Sequence, residues 1–138
     1  MCLRRRFRVN SNTSVAPGAK ELILDLEERC CIRQLTLIYD GNDTTGTFNC
    51  RLIIKIDEDT VLNETLKNIY TKFGALTYCA HANRPYQTLQ HDGSSKLHKS
   101  VFLDLGRVER RFAVFFENKD TSNPATVHCG VIYDILED

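Results

Sequence analysis

Apolar residues recur at every second position in several separate stretches, and this alternation constrains the fold more than any other feature of the chain. The stretches are 22–26, 35–39, 52–56, 101–105, 112–116 and 127–135. Side chains in a strand point alternately to opposite faces, so each stretch predicts a strand with one face on a core. About seven such strands, separated by turn residues, predict a mostly β, antiparallel sandwich or barrel.

Two segments between these strands carry local predictions. The turn-rich stretch 40–46 lies between two alternating runs and predicts a hairpin. Over 61–73 the apolar residues recur at helical spacing instead, and this predicts one short helix. The alternative for the second segment is an extended stretch over 59–63 with only a short helix after it.

The first 19 residues predict a basic, flexible amino-terminal arm, which precedes a single β-sandwich domain over 20–138. Arginines crowd the start of the arm, and the polar and turn-forming residues that follow specify no packed element. The arginines suit an acidic protein surface or phosphate, and the aromatic ring among them gains by burial against a neighbour. The candidate partner-binding residues are therefore Arg4, Arg5, Arg6, Phe7 and Arg8. A solvated terminus and a charge-guarded edge strand over 4–9 stay open as alternatives.

Charge and composition limit the class of protein. The 138 residues include 18 Lys and Arg and 18 Asp and Glu, so the formal net charge is zero. A wholly basic nucleic-acid-binding domain is thereby excluded, and nucleic acid is a possible partner through the arm only. The sequence shows no secretory signal and no apolar run near the ~20 residues of a membrane-spanning helix, so we expect a cytosolic protein with reduced cysteines.

No motif predicts catalysis, and we expect neither enzymatic activity nor a cofactor. The sequence has no Gly-rich phosphate loop, nucleophile elbow or paired-histidine zinc helix. His128 and Cys129 would point to opposite faces of a strand, which argues against a shared metal site. The acidic run 57–59 predicts a solvated turn and a favourable charge at a helix start rather than a calcium site.

The long segment 81–96 is the main alternative site, because loops of this length inside a compact domain are often functional. Polar and aromatic residues in and near it could bind a sugar, namely Tyr78, Asn83, Arg84, Tyr86, Gln87 and Gln90. An ordinary solvated loop is the competing interpretation. The chain also lacks Trp, which would offer the largest aromatic surface for a sugar.

Several stretches resemble a known group of proteins. They are 16–18, 22–24, 32–37, 52–59, 110–118 and 125–127. In strand order and turn residues, the region 16–136 is similar to small jelly-roll-like β-sandwich virion proteins, such as head-decoration, fibre or tail components. The resemblance implies a non-enzymatic structural role in a virion, with other protein subunits as partners in a homo-oligomer or a multi-protein assembly. It also implies that the protein is found in the virion or the host cytoplasm. The second interpretation is a carbohydrate- or ligand-binding β-sandwich module.

Overall fold

The computed structural model describes residues 2–42, 50–66, 68–69, 77–78, 89–90 and 95–137. Strands make up most of these residues. They are β1 (Cys2–Val15), β2 (Lys20–Leu26), β3 (Cys30–Asn42), β4 (Arg51–Ile56), β5 (Asp59–Thr65), β6 (Thr77–Tyr78), β7 (Leu89–Gln90), β8 (Ser95–Val108), β9 (Phe112–Glu117) and β10 (Ala125–Glu137). Within the same residues, no helix is long and apolar enough to cross a membrane.

The strands form two sheets whose order follows a jelly roll. The larger sheet has six strands in the order β1-β10-β3-β8-β6, with β7 also paired to β8. The smaller sheet has four strands in the order β2-β9-β4-β5. All pairs between the described strands are antiparallel. Because the chain repeatedly crosses from one sheet to the other, the result is the antiparallel β-sandwich predicted from the alternation.

The core lies between the two sheets and is built from the inward face of each strand. In β9, for example, Phe112, Val114 and Phe116 are fully buried. Phe116 stacks on Tyr39 of the larger sheet, with ring centroids 5.1 Å apart and planes inclined by 27°. Burying a large apolar side chain of this kind contributes about 1.5–3 kcal/mol. The period-two pattern therefore predicted the buried face of this strand correctly.

The prediction of a flexible arm was wrong for most of its length. Residues Cys2–Val15 form β1, which pairs with β10 from Cys2 opposite Glu137 to Val15 opposite Ala125. Among the described side chains of β1, only Val15 is buried. An edge strand needs hydrogen bonds on one side only and tolerates charged side chains, so β1 can form without apolar periodicity.

Two local predictions also need correction. The predicted hairpin around 40–46 does not form, because β3 already has β10 and β8 on its two edges and β4 lies in the other sheet. The first part of the predicted helix over 61–73 is strand β5, in agreement with the extended alternative. Helical residues follow it at Leu66, Asn68 and Ile69, and 70–73 lie outside the described residues.

A tight turn between β4 and β5 explains why this segment is extended. Asp57 and Glu58 have φ angles of 50° and 72°. Positive φ at both central residues matches the twist of a two-residue hairpin loop. The turn sends the chain back along β4, with Ile54 opposite Leu62. Tertiary pairing thus outweighs the helical spacing of the apolar residues.

Candidate protein-interaction edge

The predicted partner-binding residues lie on β1, and they divide between its two faces. Arg5 is opposite Asp134 in the register with β10 and forms an ion pair with it. Since side chains alternate along a strand, Phe7 and Val9 share this face, which is the outer surface of the larger sheet. Arg4, Arg6, Arg8 and Asn10 belong to the other face, which borders β2 of the smaller sheet.

Arg5 is committed to its own domain. Its Nε and Nη2 donate to the two carboxylate oxygens of Asp134 at 2.9 and 3.1 Å. Arg33 of β3 donates through Nε to the same carboxylate at 2.6 Å. The hydrogen bond from Arg5, and next that from Arg33, lowers the pKa of Asp134 to about 2. This cluster joins β1, β10 and β3, so Arg5 acts mainly as a structural contact.

Arg8 and Asn10 connect the two sheets along one flank of the sandwich. The Arg8 guanidinium donates to the carbonyl oxygen of Asp25 at 3.4 Å. Asn10 Nδ2 donates to the carbonyl oxygen of Ile23 at 2.5 Å. These contacts use backbone acceptors of β2. The positive charge of Arg8 is therefore not neutralised by a carboxylate among the described residues.

Arg4, Arg6 and Phe7 are exposed. No carboxylate of the described residues lies within ion-pair distance of Arg6. The Phe7 side chain is 70% exposed and Val9 is 81% exposed, although both are large apolar groups. Exposed apolar side chains that adjoin an unneutralised charge on a sheet edge are typical of a surface that contacts another protein.

A shallow groove of about 270 Å³ runs over the outer surface beside Val9. It exists because Gly130 of β10, which has no side chain, lies between Val9 of β1 and Thr36 of β3. At one end Ser11 Oγ and His128 Nδ1 are 2.6 Å apart. No carboxylate of the described residues is hydrogen-bonded to His128, so this pair lacks the third member of a catalytic triad.

The buried cysteines have structural roles. Cys30, Cys50 and Cys129 are buried, and burial raises the pKa of Cys30 and of Cys129 to about 12. Thiols of this kind are unreactive. The four cysteines whose side chains are described form no disulfide, and no group of metal-binding side chains occurs among the described residues.

Asp57 stabilises the turn between β8 and β9. Its carboxylate oxygens accept hydrogen bonds from the backbone N–H groups of Glu109, Arg110 and Arg111, with N-to-O distances of 2.9, 2.7 and 3.0 Å. The hydrogen bond from Glu109 is the main cause that lowers the pKa of Asp57. The acidic run 57–59 was predicted to place a favourable charge at the start of a helix. That prediction was wrong, because strand β5 and not a helix begins at Asp59.

Several predicted residues lie where no side chain is described. Residues 81–88 and 91–94 are outside the described residues, which leaves out the sugar-binding candidates Asn83, Arg84, Tyr86 and Gln87. Only the backbone of Tyr78 and Gln90 is described, in β6 and β7. Sequence reasoning missed Asp134 and the Ser11–His128 contact, because each joins strands from opposite ends of the chain.

Comparison with known proteins supports the fold. No protein-family model matches the sequence, and no curated protein sequence matches it significantly. The crystal structure of PBCV-1 VP54, fitted into a cryo-EM reconstruction of the virophage Sputnik, has a TM-score of 0.58 at 10% identity, over 99% of this chain and 44% of that one. The structure of the infectious bursal disease virus Gt strain has a TM-score of only 0.28 at 10% identity, over 98% of this chain and 41% of that one.

The second score is too low to support an argument, so the fold comparison depends on VP54. This chain spans less than half the length of the VP54 chain. At 10% identity, this similarity shows the fold alone. The resemblance to jelly-roll-like virion structural proteins is thus confirmed at the level of the fold.

Proposed function

We propose that this chain is a non-enzymatic structural component of a virus particle, in which it assembles with other protein subunits. The supporting observation is the jelly-roll order of the two sheets, together with the similarity to VP54 over 99% of this chain. Jelly rolls also occur in lectins and cupins, so the fold alone does not decide function. The exposed edge of β1 adds a surface suited to a neighbouring subunit.

The contact surface that we propose consists of Arg4, Arg6, Phe7 and Arg8. Arg6 and Arg8 offer positive charge that no described carboxylate neutralises by an ion pair. Phe7 offers an apolar ring that gains by burial. Because half of the backbone groups of an edge strand have no partner within their own sheet, β1 can also hydrogen-bond to a neighbouring chain.

Sedimentation velocity of the purified protein over a range of concentrations tests this function. We expect concentration-dependent self-association or, if the chain needs a different subunit, association with co-expressed proteins of the same particle. Raising the salt concentration should weaken the complex, because exposed charges are screened over about 8–10 Å. The same measurement is made on a double variant, Arg6→Ser with Phe7→Ser, which removes two side chains of the proposed contact surface. This variant should associate more weakly than the wild type at every salt concentration.

Two association or binding results would contradict the proposal. One is a protein that stays monomeric at all concentrations and does not enter particles with co-expressed subunits. The other is a monomer that binds a glycan array with saturable affinity, which would favour the ligand-binding module. Turnover of a substrate would likewise contradict the non-enzymatic role.

A further inference from the structure

The outer face of the smaller sheet carries an apolar row that crosses three strands. In the register, Leu22 of β2 and Ile53 of β4 are both opposite Phe115 of β9. Phe115 is followed by Phe116, whose side chain is buried in the core, so the row lies on the face directed away from the core. Leu22 is 41% exposed and Phe115 is half-buried. The row is therefore open to solvent at its β2 end.

Two lysines lie over the Phe115 ring. Nζ of Lys20 is 5.2 Å from the ring centroid, and Nζ of Lys55 is 5.6 Å from it. The lysines reach the ring from β2 and β4, the two neighbours of β9 in the sheet. Because a cation within about 6 Å of an aromatic ring is attracted to its face, the ring holds both ammonium groups near the apolar row. Their positions are set before a partner binds, which lowers the entropy cost of binding.

Three cations of this face are not neutralised within the described part of the chain. Lys20, Lys55 and Arg51 have no carboxylate of the described residues within ion-pair distance. Arg51 Nε donates to the Asn63 side-chain oxygen at 2.9 Å. This acceptor is an uncharged amide, so the charge of Arg51 remains.

The acidic side chains beside these cations already have partners. Asp25 and Glu58 both form ion pairs with Arg111, at 2.7 and 3.6 Å. Glu117 forms an ion pair with Lys119 at 3.4 Å. These three carboxylates are balanced by two cations, which leaves one negative charge against the three unpaired cations. The face is therefore positive on balance, which suits an acidic partner.

We infer that the outer face of the smaller sheet binds an acidic segment of another protein subunit. Carboxylates of the segment contact Lys20 and Lys55, and its apolar side chains cover Leu22 and Phe115. The inference deepens the proposed function, on which it rests for the presence of neighbouring subunits. It adds a second contact surface, on the sheet that does not contain β1.

The size of the face favours a segment over a second copy of the chain. Strands β2, β4 and β9 have six or seven residues each. Four strands about 4.8 Å apart and about 20 Å long cover about 400 Å². A stable interface between two proteins buries about 800 Å² on each partner. Two such faces packed together would also bring lysines near lysines, which is unfavourable.

The same face is poorly suited to a nucleic acid or a sugar. Both would stack on the Phe115 ring, but the two ammonium groups already lie over it. Glu117 lies between Lys20 and Arg51 in the register. A nucleic-acid strand carries a negative charge about every 3.4 Å and would be repelled by this carboxylate. A protein segment places single carboxylates beside the lysines and avoids that repulsion.

Fluorescence anisotropy of a labelled peptide tests the inference. The probe repeats the order leucine, serine, glutamate, serine, so that an extended peptide presents leucine and glutamate together on one face. We expect the wild type to bind it. The double variant Lys20→Gln with Lys55→Gln should bind about tenfold more weakly, because two exposed charge contacts are lost. A peptide with lysine in place of glutamate should not bind.

Lys119→Gln is the matched control. It removes the charge of a neighbouring exposed lysine that already has Glu117 as its partner. The affinity for the peptide should therefore stay close to that of the wild type. The thermal midpoint of every variant is measured as well and should match that of the wild type, which excludes misfolding as the cause of weaker binding.

The remaining outcomes overturn the inference. If the peptide does not bind, or binds the double variant as tightly as the wild type, the face is not a docking site. The proposed function survives that result as long as the protein self-associates or enters particles. If a single-stranded oligonucleotide or a sulfated polysaccharide binds through the two lysines more tightly than the peptide, the partner is not a protein segment. If the double variant loses self-association in sedimentation velocity, the face is occupied by a second copy.

Discussion

β1 and β9 are both strands of the same sandwich, yet different interactions stabilise them. β9 has six residues, and four of them are buried. β1 has 14 residues, and Val15 is the only one of its described side chains that is buried. β9 is therefore stabilised by the apolar surface it removes from water. β1 depends on its backbone pairing with β10 and on the ion pair between Arg5 and Asp134.

The difference shows how one fold can combine a core that tolerates few substitutions with an exposed edge strand, β1, that tolerates many. Side chains in the core must fit their neighbours closely, so β9 admits little change. The exposed positions of β1 are free to carry charges and apolar groups that suit another molecule. Four changes to the chain would test this contrast between the core and the exposed strand β1. Their expected effects on stability decrease in the order given below.

Deleting residues 1–14 should have the largest effect, because β10 would lose its β1 neighbour from Glu137 to Val127. We expect the thermal midpoint to fall sharply, or the soluble domain to be lost, when the deletion is compared with the full chain by circular dichroism. A freely mobile arm would leave the midpoint unchanged, and that result would contradict the pairing of β1 with β10.

Phe116→Ala in β9 should cost about 3–5 kcal/mol of unfolding free energy in urea titrations, because it empties a site in the core. The matched control is Phe115→Ala on the opposite face of the same strand. The Phe115 ring is half-buried, with the Lys20 and Lys55 amines 5.2 and 5.6 Å from its centroid. A loss as large for Phe115 as for Phe116 would show that the outer face is also part of a packed core.

Asp134→Asn should lower the thermal midpoint by an amount that depends on pH. The pKa of Asp134 is about 2 in the folded protein, whereas an unperturbed aspartate has a pKa of about 3.9. The stabilising effect of its charge is present in full above about pH 5 and is lost as the pH falls toward 2. The wild type and the variant should therefore converge in acid. Glu21→Gln, which alters an exposed carboxylate on β2, should show no such convergence.

Phe7→Ser should change the unfolding free energy least, by less than about 0.5 kcal/mol, because the ring is 70% exposed. Self-association should nevertheless weaken. Val61→Ser on β5, where the side chain is 52% exposed, serves as the control and should change neither property. Strong destabilisation by Phe7→Ser would mean that the exposed side chains of β1 contribute to stability as much as those of the core.

Alternation in the sequence was sufficient to predict the sandwich and most of its inward-facing residues. In the last strand, Val127, Cys129 and Val131 are buried, as their spacing predicts. The same local pattern could not tell that β3 and β4 belong to different sheets, because neighbours in a sheet are chosen by competition between distant strands. Strand pairing is therefore predicted less well than strand position.

The edge strand at the amino-terminal end was predicted only as an alternative, over 4–9, and its pairing with the last strand from Cys2 to Val15 was not predicted. Arg5 illustrates the reason: its partner Asp134 is 129 positions away in the chain. No local sequence pattern predicts a contact between two residues so far apart. In addition, a strand whose side chains stay exposed has no apolar periodicity from which the strand could be predicted. The charge on Arg4, Arg6 and Arg8 indicated contact with another molecule, which is the part that remains a proposal.

The pairing of β1 with β10 has a consequence for the time course of synthesis. β1 leaves the ribosome before β10, and the residues of β10 that pair with it are made more than 100 residues later. At about 5–20 residues per second, β1 waits roughly 6–25 s for its partner. Contacts between such distant segments also form late in folding, since the intervening chain must first be closed into a loop. During that interval the charged arginines of β1 keep the nascent strand hydrated.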